Sequence, residues 1–264
     1  RNLTISGELD AATLDISGDA DIDGTLEADA YTIGDAAFIK VAGTNFTNSL
    51  LVGHATTGTL DAADQNTGIG MLALDALTTG DQNTAIGYSA GSAIAGSYYN
   101  TLVGSNAGLQ LSGNGSYDNV AVGRRALITA TTGAAQNTVV GSLAGEAIAA
   151  GDFNSALGYN SGADVNSGTY NITVGHSAGD NITTGSGNVI IGTVDAGSAT
   201  GDHQLKVVGY NGSSTVTWID GDSSGNVTMP AEVAAATLDI SGAIDIDGAS
   251  QFSGAVTVGV DDTG

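Results

Sequence analysis

The sequence predicts an all-β, elongated repeat protein: a stacked parallel β-roll or β-solenoid with coils of about 17 residues, flanked on both sides by β shafts built from hexads. Three observations carry this. A motif N-T-x-I/V-G returns at a near-constant step through the middle of the chain, and hexads of the form φ-x-φ-x-G-x, with φ apolar, lie on either side of it. The 264 residues also contain 41 Gly but a single Pro, which fits a chain of many tight corners whose strands need every N–H.

Residues 1–48 read as the N-terminal shaft. Leu14-Asp15-Ile16-Ser17-Gly18-Asp19 runs into Ala20-Asp21-Ile22-Asp23-Gly24-Thr25, with apolar side chains alternating against Asp, Ser and Thr. A ribbon of this kind leaves its apolar face in water and the chain offers no helix to cover it, so identical chains are expected to cover one another. Asp19, Asp21, Asp23 and Gly24 mimic the start of an EF-hand loop, but Ala30 stands where the loop needs Glu, so strand alternation is the simpler account.

Residues 49–209 hold the repeats. The motif asparagines are Asn66, Asn83, Asn100, Asn119, Asn137, Asn154, Asn171 and Asn188, at steps of 17, 17, 19, 18, 17, 17 and 17. The closing glycines are Gly70, Gly87, Gly104, Gly123, Gly141, Gly158, Gly175 and Gly192. Extending the register reaches Val52-Gly53 and Val208-Gly209. A small residue follows three after each Gly, as in Ala73, Ala90 and Ala107, and an apolar one seven after, as in Leu77, Ile94 and Leu111. Glycine often recurs ten after, as in Gly80, Gly151 and Gly168. Each copy therefore reads as short strand, corner, second short strand and Gly turn. The expected inward columns are the Val/Ile before each Gly, the small residue and the second-strand Leu/Ile. Asn is expected at a left-handed corner, hydrogen-bonding along its own column.

The position after each Gly varies widely: His54, Met71, Tyr88, Ser105, Arg124, Ser142, Tyr159, His176, Thr193 and Tyr210. Such freedom marks a solvent-facing column, and Tyr88, Arg124, Arg125, Tyr159 and His176 are the candidate surface contacts. Residues 210–230 read as a strand-loop-strand joint, with Val216-Thr217-Trp218-Ile219 and Val227-Thr228-Met229 around an Asp/Gly-rich loop and Pro230 as punctuation. Asp220 and Asp222 in that loop are weak candidates for an ion, since Asp and Gly are also ordinary turn residues. Residues 231–264 read as the second shaft, from Leu238-Asp239-Ile240-Ser241-Gly242 through Phe252-Ser253-Gly254. The chain opens on Arg1 rather than Met and stops in a polar stretch, so a longer polypeptide is expected.

Charge and chemistry exclude several classes. Five Lys plus Arg against 28 Asp plus Glu give a net charge of −23, which repels phosphates and anionic lipids, so neither nucleic acid nor membrane is an expected partner. There is no Cys, and His54 and His176 share a column but lie roughly 34 Å apart at the strand spacing, so no zinc site is expected. No cofactor is expected. Neither a G-x-S-x-G elbow nor a P-loop occurs. Pairs such as Asp61 and Asp64 are what 24 Asp produce by chance, and only four Glu are present, so the chain is not expected to be an enzyme.

The copies Asn83-Thr84-Ala85-Ile86-Gly87-Tyr88-Ser89-Ala90-Gly91 and Asn171-Ile172-Thr173-Val174-Gly175-His176-Ser177-Ala178-Gly179 resemble repeats of the β-roll head of trimeric autotransporter adhesins. They are still more similar to N-T-A-I-G-Y-x-A-G arrays in tail-fibre and structural proteins of bacteriophages, marine cyanophages among them. The hexads, the segment Trp218 to Val227 and the end Val256 to Gly264 are similar to stretches of the same phage proteins. The resemblance implies a homotrimeric fibre in a virion, outside the cell. Its partners would be its own copies, other fibre proteins and a host-surface glycan or receptor. A bacterial extracellular adhesin or filament subunit is the alternative, and a polysaccharide-degrading tailspike a third. The 17-residue period is longer than is usual in adhesin heads.

Overall fold

The structure, a computed structural model, describes residues 31–33, 36–43, 45–53, 60–112, 115–131 and 133–230, with backbone alone for 31–33 and 36–43. The hexads, the EF-hand-like stretch and His54 lie outside the described residues. Every described element is a β-strand. β1 (Tyr31–Ile33), β2 (Ala36–Gly43) and β3 (Phe46–Val52) succeed one another antiparallel. β4 (Ala63–Asp64) is a short parallel partner of β3. Then come eight three-residue strands: β5 (Thr67–Ile69), β6 (Thr84–Ile86), β7 (Thr101–Val103), β8 (Val120–Val122), β9 (Thr138–Val140), β10 (Ser155–Leu157), β11 (Ile172–Val174) and β12 (Val189–Ile191). β13 (Leu205–Tyr210), β14 (Thr215–Gly221) and β15 (Val227–Thr228) close the sheet.

From β3 through β5 to β13 each strand pairs parallel with the next, residue for equivalent residue, as in Thr84↔Thr101, Ala85↔Leu102 and Ile86↔Val103. This is a parallel β-solenoid of nine coils, as the 17-residue period predicts. At the strand spacing its ten rungs span about 43 Å. The 19-residue step that follows Asn100 leaves the register intact, since Thr101 pairs with Val120 and Val103 with Val122. Antiparallel strands flank the stack at both ends, β2 beside β3 and β14 beside β13.

Four expectations about the coils are corrected. The second strand is not a strand. Left-handed residues two and four after the Gly, such as Ser89 at φ 53° and Gly91 at φ 56°, turn the chain through consecutive tight turns. This side still stacks by main-chain hydrogen bonds, with Ser89 N–H donating to Met71 O at 2.9 Å and Gly91 N–H to Ala107 O at 2.9 Å. The Val/Ile column, expected inside, faces outward: Ile69, Ile86, Leu157 and Ile191 are exposed and the valines half-buried. Strand alternation puts the preceding residue inside instead, namely Gly68, Ala85, Leu102, Ala121, Val139, Ala156, Thr173 and Ile190.

The third correction concerns the corner assigned to Asn66, Asn83, Asn100, Asn119, Asn137, Asn154, Asn171 and Asn188. None of them is left-handed; the residue before takes that conformation, as at Gln65, Gln82, Tyr99, Asp118, Gln136, Phe153, Tyr170 and, as a glycine, Gly187. The turn thereby delivers each Asn to the interior with its amide facing the next coil.

A fourth correction is one of register. Ile191 pairs with Val207, so the last step is 16 residues and Val208, not Gly209, stands in the slot of the closing glycine. The slot elsewhere demands Gly for two reasons. Gly141 has φ +142°, a backbone that L side chains rarely adopt, and a Cβ there would lie 2.1 Å from the Gly158 carbonyl oxygen.

The expected small and Leu/Ile columns are inside, and Ala73, Ala90, Ala107, Leu77, Ile94 and Leu111 are fully buried. Volume is traded between columns within a coil. Where Leu74 occupies the position four after the Gly, the strand position holds Gly68, whose Cβ would meet Leu51 and Leu74. Where that position is Gly91 or Gly108, Leu102 fills the space, its Cδ atoms 2.7 Å from either missing Cβ. The core is a thin layer packed by such exchanges, as close packing requires.

Candidate interaction surface

The motif asparagines form a buried spine. All eight are between 0 and 3% exposed. Each Oδ1 accepts from the main chain and side chain one coil on; Asn137 Oδ1 takes Asn154 N–H at 2.9 Å and Nδ2 at 3.1 Å. Asn100, at the head of the longest step, keeps the same geometry: its Oδ1 takes Asn119 N–H at 3.2 Å and Nδ2 at 3.0 Å. Each Nδ2 also donates to a carbonyl, Asn100 to Ser116 O at 3.2 Å, Asn137 to Gly151 O at 2.9 Å and Asn154 to Gly168 O at 2.9 Å. The last two acceptors are ten-after glycines, and a Cβ on Gly151 would lie 2.3 Å from Gly168 O. Ser49 Oγ starts the ladder by accepting Asn66 N–H, and Gln204 ends it by donating its main-chain N–H and Nε2 to Asn188 Oδ1. A buried amide is tolerated because both of its ends are satisfied.

With Asn and the next-but-one residue inside, the other strand side chains form a face of their own. It carries Thr or a replacement (Thr67, Thr84, Thr101, Val120, Thr138, Ser155, Ile172, Val189) beside the Ile/Val/Leu column. On one border stand the left-handed residues before each Asn, including exposed Tyr99, Phe153 and Tyr170. On the other stand the residues after each Gly. Of the candidate contacts, Tyr88, Arg124, Tyr159 and His176 are exposed in that border column. Arg125 is not in it: left-handed at φ 59°, it is half-buried and paired with Glu146.

Aromatic rings stack along these borders. Phe153 lies on Tyr170 with centroids 4.6 Å apart and Tyr159 on His176 at 5.2 Å, while the half-buried Tyr98 and Tyr117, two residues before Asn100 and Asn119, stack at 5.3 Å just beyond the border. The stretch from β10 to β11 is the most apolar part, with Phe153, Leu157, Tyr159, Tyr170 and Ile172 all exposed. Sequence reasoning found the column after each Gly but missed the column before each Asn. Its signal was present in Tyr99, Phe153 and Tyr170, which immediately precede Asn100, Asn154 and Asn171.

The acidic residues serve the backbone. Asp81, Asp152 and Asp202 each accept, through Oδ1, a main-chain N–H of the preceding coil at 2.8 Å, from Asp64, Ala135 and Ser186. Asp64 binds Thr47, Gln65 and Asn48 side chains, which hold its carboxyl below the usual range. Asp222, the ion candidate, accepts from the Asn226 side chain at 2.8 Å and from the main chain of Ser224 and Asn226, which likewise lowers its pKa. Its oxygens thus close the loop on itself. Asp220 sits in β14 opposite Lys206. Among the described residues no group of three or more His, Cys, Asp or Glu is arranged to hold a metal. Asp195 is raised, first by burial and then by its hydrogen bond with Asp180 and that neighbour's charge.

No protein-family model matches this chain, nor does any curated protein or solved structure.

Proposed function

We propose that this chain is a non-enzymatic structural subunit of a bacteriophage tail fibre or virion appendage, a rigid homotrimeric spacer that contributes to host-surface attachment. The observation that carries the reading is the outward strand face, an unbroken column from Ile69 to Ile191 that an isolated chain leaves wet. The face is about 43 Å long and, over the six residue steps from the residue before each Asn to the residue after each Gly, roughly 20 Å wide, or about 860 Å². A standard protein interface takes about 800 Å² from each partner. Charge supports the choice of face, since the column itself has no ionisable side chain in a chain of net charge −23. Three copies would carry three times that charge, −69, which keeps assembled rods from bundling.

Rigidity follows from the stack. Opening one coil breaks main-chain and Asn hydrogen bonds to both neighbours, so local fraying inside the rod is costly. The test is sedimentation equilibrium on the full chain together with electron microscopy. A mass of three chains of 25.8 kDa and a rod-shaped particle are expected. A monomeric mass, or a mainly helical circular dichroism spectrum, would overturn the proposal.

A further inference from the structure

Where the sheet turns antiparallel after the last coil, one residue is set apart. β13 and β14 pair Val207↔Ile219 and Val208↔Thr217, so Trp218 is the extra residue of a bulge. Bulges re-aim side chains. The indole here lies across Gly209, where a Cβ would come within 2.5 Å of its Cζ2 and 3.0 Å of its Cη2. Strand backbone therefore seats one part of the ring. The sole Trp of the chain is nonetheless 55% exposed, as is Tyr210.

The two rings belong to a cleft of about 280 Å³ lined by Gly209, Tyr210, Asn211, Ser214, Val216 and Trp218. None of these side chains is charged at neutral pH. The turn beneath is held by Asn211 Oδ1, which accepts the N–H groups of Ser213 and Ser214 at 3.0 Å each. That orientation leaves Asn211 Nδ2 as a donor at the rim.

We propose that this cleft binds a neutral carbohydrate, with a saccharide ring stacked on Trp218 and its hydroxyls met by Asn211 and Ser214. A sugar ring presents C–H groups on a face and hydroxyls around its edge, and the cleft offers the complement, a fixed aromatic surface beside short polar side chains. A purely apolar ligand would leave the Asn211 amide nitrogen unpaired, whereas the Ser214 hydroxyl already donates to Asn211 Oδ1. An anionic glycan would meet the field of a chain with net charge −23. The inference rests on the attachment role proposed above and gives that role a ligand class.

Because Trp218 is the only Trp, its fluorescence reports this cleft alone. The full chain is titrated with maltohexaose, cellohexaose and chitohexaose, and with polygalacturonate as the anionic comparison. A saturable change with at least one neutral sugar and none with polygalacturonate is expected. By calorimetry, Trp218→Ala should weaken that binding about 30-fold or more, the effect of removing an anchoring aromatic, while Gln110→Ala, at an exposed position on the turn side of a coil, leaves it unchanged. Circular dichroism of Trp218→Ala should match the parent. The inference is overturned if no neutral sugar gives a saturable change, or if Trp218→Ala binds as the parent does. It is also overturned if the emission shifts with protein concentration alone, which would mean that a second copy covers the indole. A trimer that binds no sugar sinks this inference and leaves the spacer reading standing. A monomer that binds sugar does the reverse.

Discussion

Replacing Asn137 by Ala removes one link of the buried spine. The main-chain N–H of Asn154 and the carbonyl of Gly151 lose partners now at 2.9 Å, while Asn119 Oδ1 keeps the N–H of residue 137. Asn154 Nδ2 also survives, because it still donates to Gly168 O. Two buried main-chain groups are thus orphaned at about 1–3 kcal/mol each, so a loss of about 2–6 kcal/mol is expected. That is a large part of the roughly 5–15 kcal/mol by which folded proteins are stable. The neighbouring Thr138→Ala changes an exposed side chain and should cost under about 0.5 kcal/mol before any assembly contact is counted. Both are read from denaturant midpoints by circular dichroism at one fixed protein concentration. If the two variants differ by less than about 0.5 kcal/mol, the spine does not hold the stack and the reasoning fails.

Other substitutions probe the rest of the architecture. Gly141→Ala adds a Cβ 2.1 Å from Gly158 O at φ +142°, so it should lower the midpoint far more than Gly133→Ala. Gly133, at φ +77°, has nothing within 4 Å, and the strain of a left-handed Ala there is about 1 kcal/mol; equal midpoints would refute the close-approach argument. Leu157→Asp, on the outward face, should shift sedimentation from trimer toward monomer while the circular dichroism spectrum is kept, and an unchanged mass would remove that face from the interface. Asp195 has a folded pKa raised above the unfolded value of about 3.9, so its ionisation opposes folding as pH rises past that value. Asp195→Asn should therefore match the parent near pH 3 and melt higher at pH 7, and a Tm difference independent of pH would contradict this. Asp64 is shifted the other way, so the stability it contributes is present above about pH 4 and lost as acid protonates it; the parent should lose Tm on acidification through that range more than Asp64→Asn does.

The repeat itself carried most of the fold. The spacing of Asn and Gly implied stacked coils, the small residues three after Gly marked one inner column, and Leu77, Ile94 and Leu111 another; all are buried. The buried side of the strand is not legible in the motif, because an apolar Val or Ile reads as an inside residue whichever way the strand faces. Alternation dictates only that Asn shares a face with the residue two after it, and Thr with Val or Ile. Once the fully satisfied Asn83 and Asn100 are inside, Ile86 and Val103 must be outside, and their apolarity becomes a property of the surface. The one-residue slip at the far end was also hidden in sequence, since the pair Val208-Gly209 imitates the motif while β13 pairs one residue earlier.

The sequence by itself determined the period, the parallel stacking, the need for glycine at the corner and the acidic surface, because each repeats often enough to leave one consistent reading. Only the tertiary structure decided which face is buried, why the Gly columns tolerate no Cβ, and where Trp218 rests. Those depend on what lies one coil or one strand away: the carbonyl of Gly158 above Gly141, the Asn of the next rung, and the backbone of Gly209 under an indole from the neighbouring antiparallel strand. Such neighbours are set by how the coils close on one another, and a linear pattern does not contain that distance.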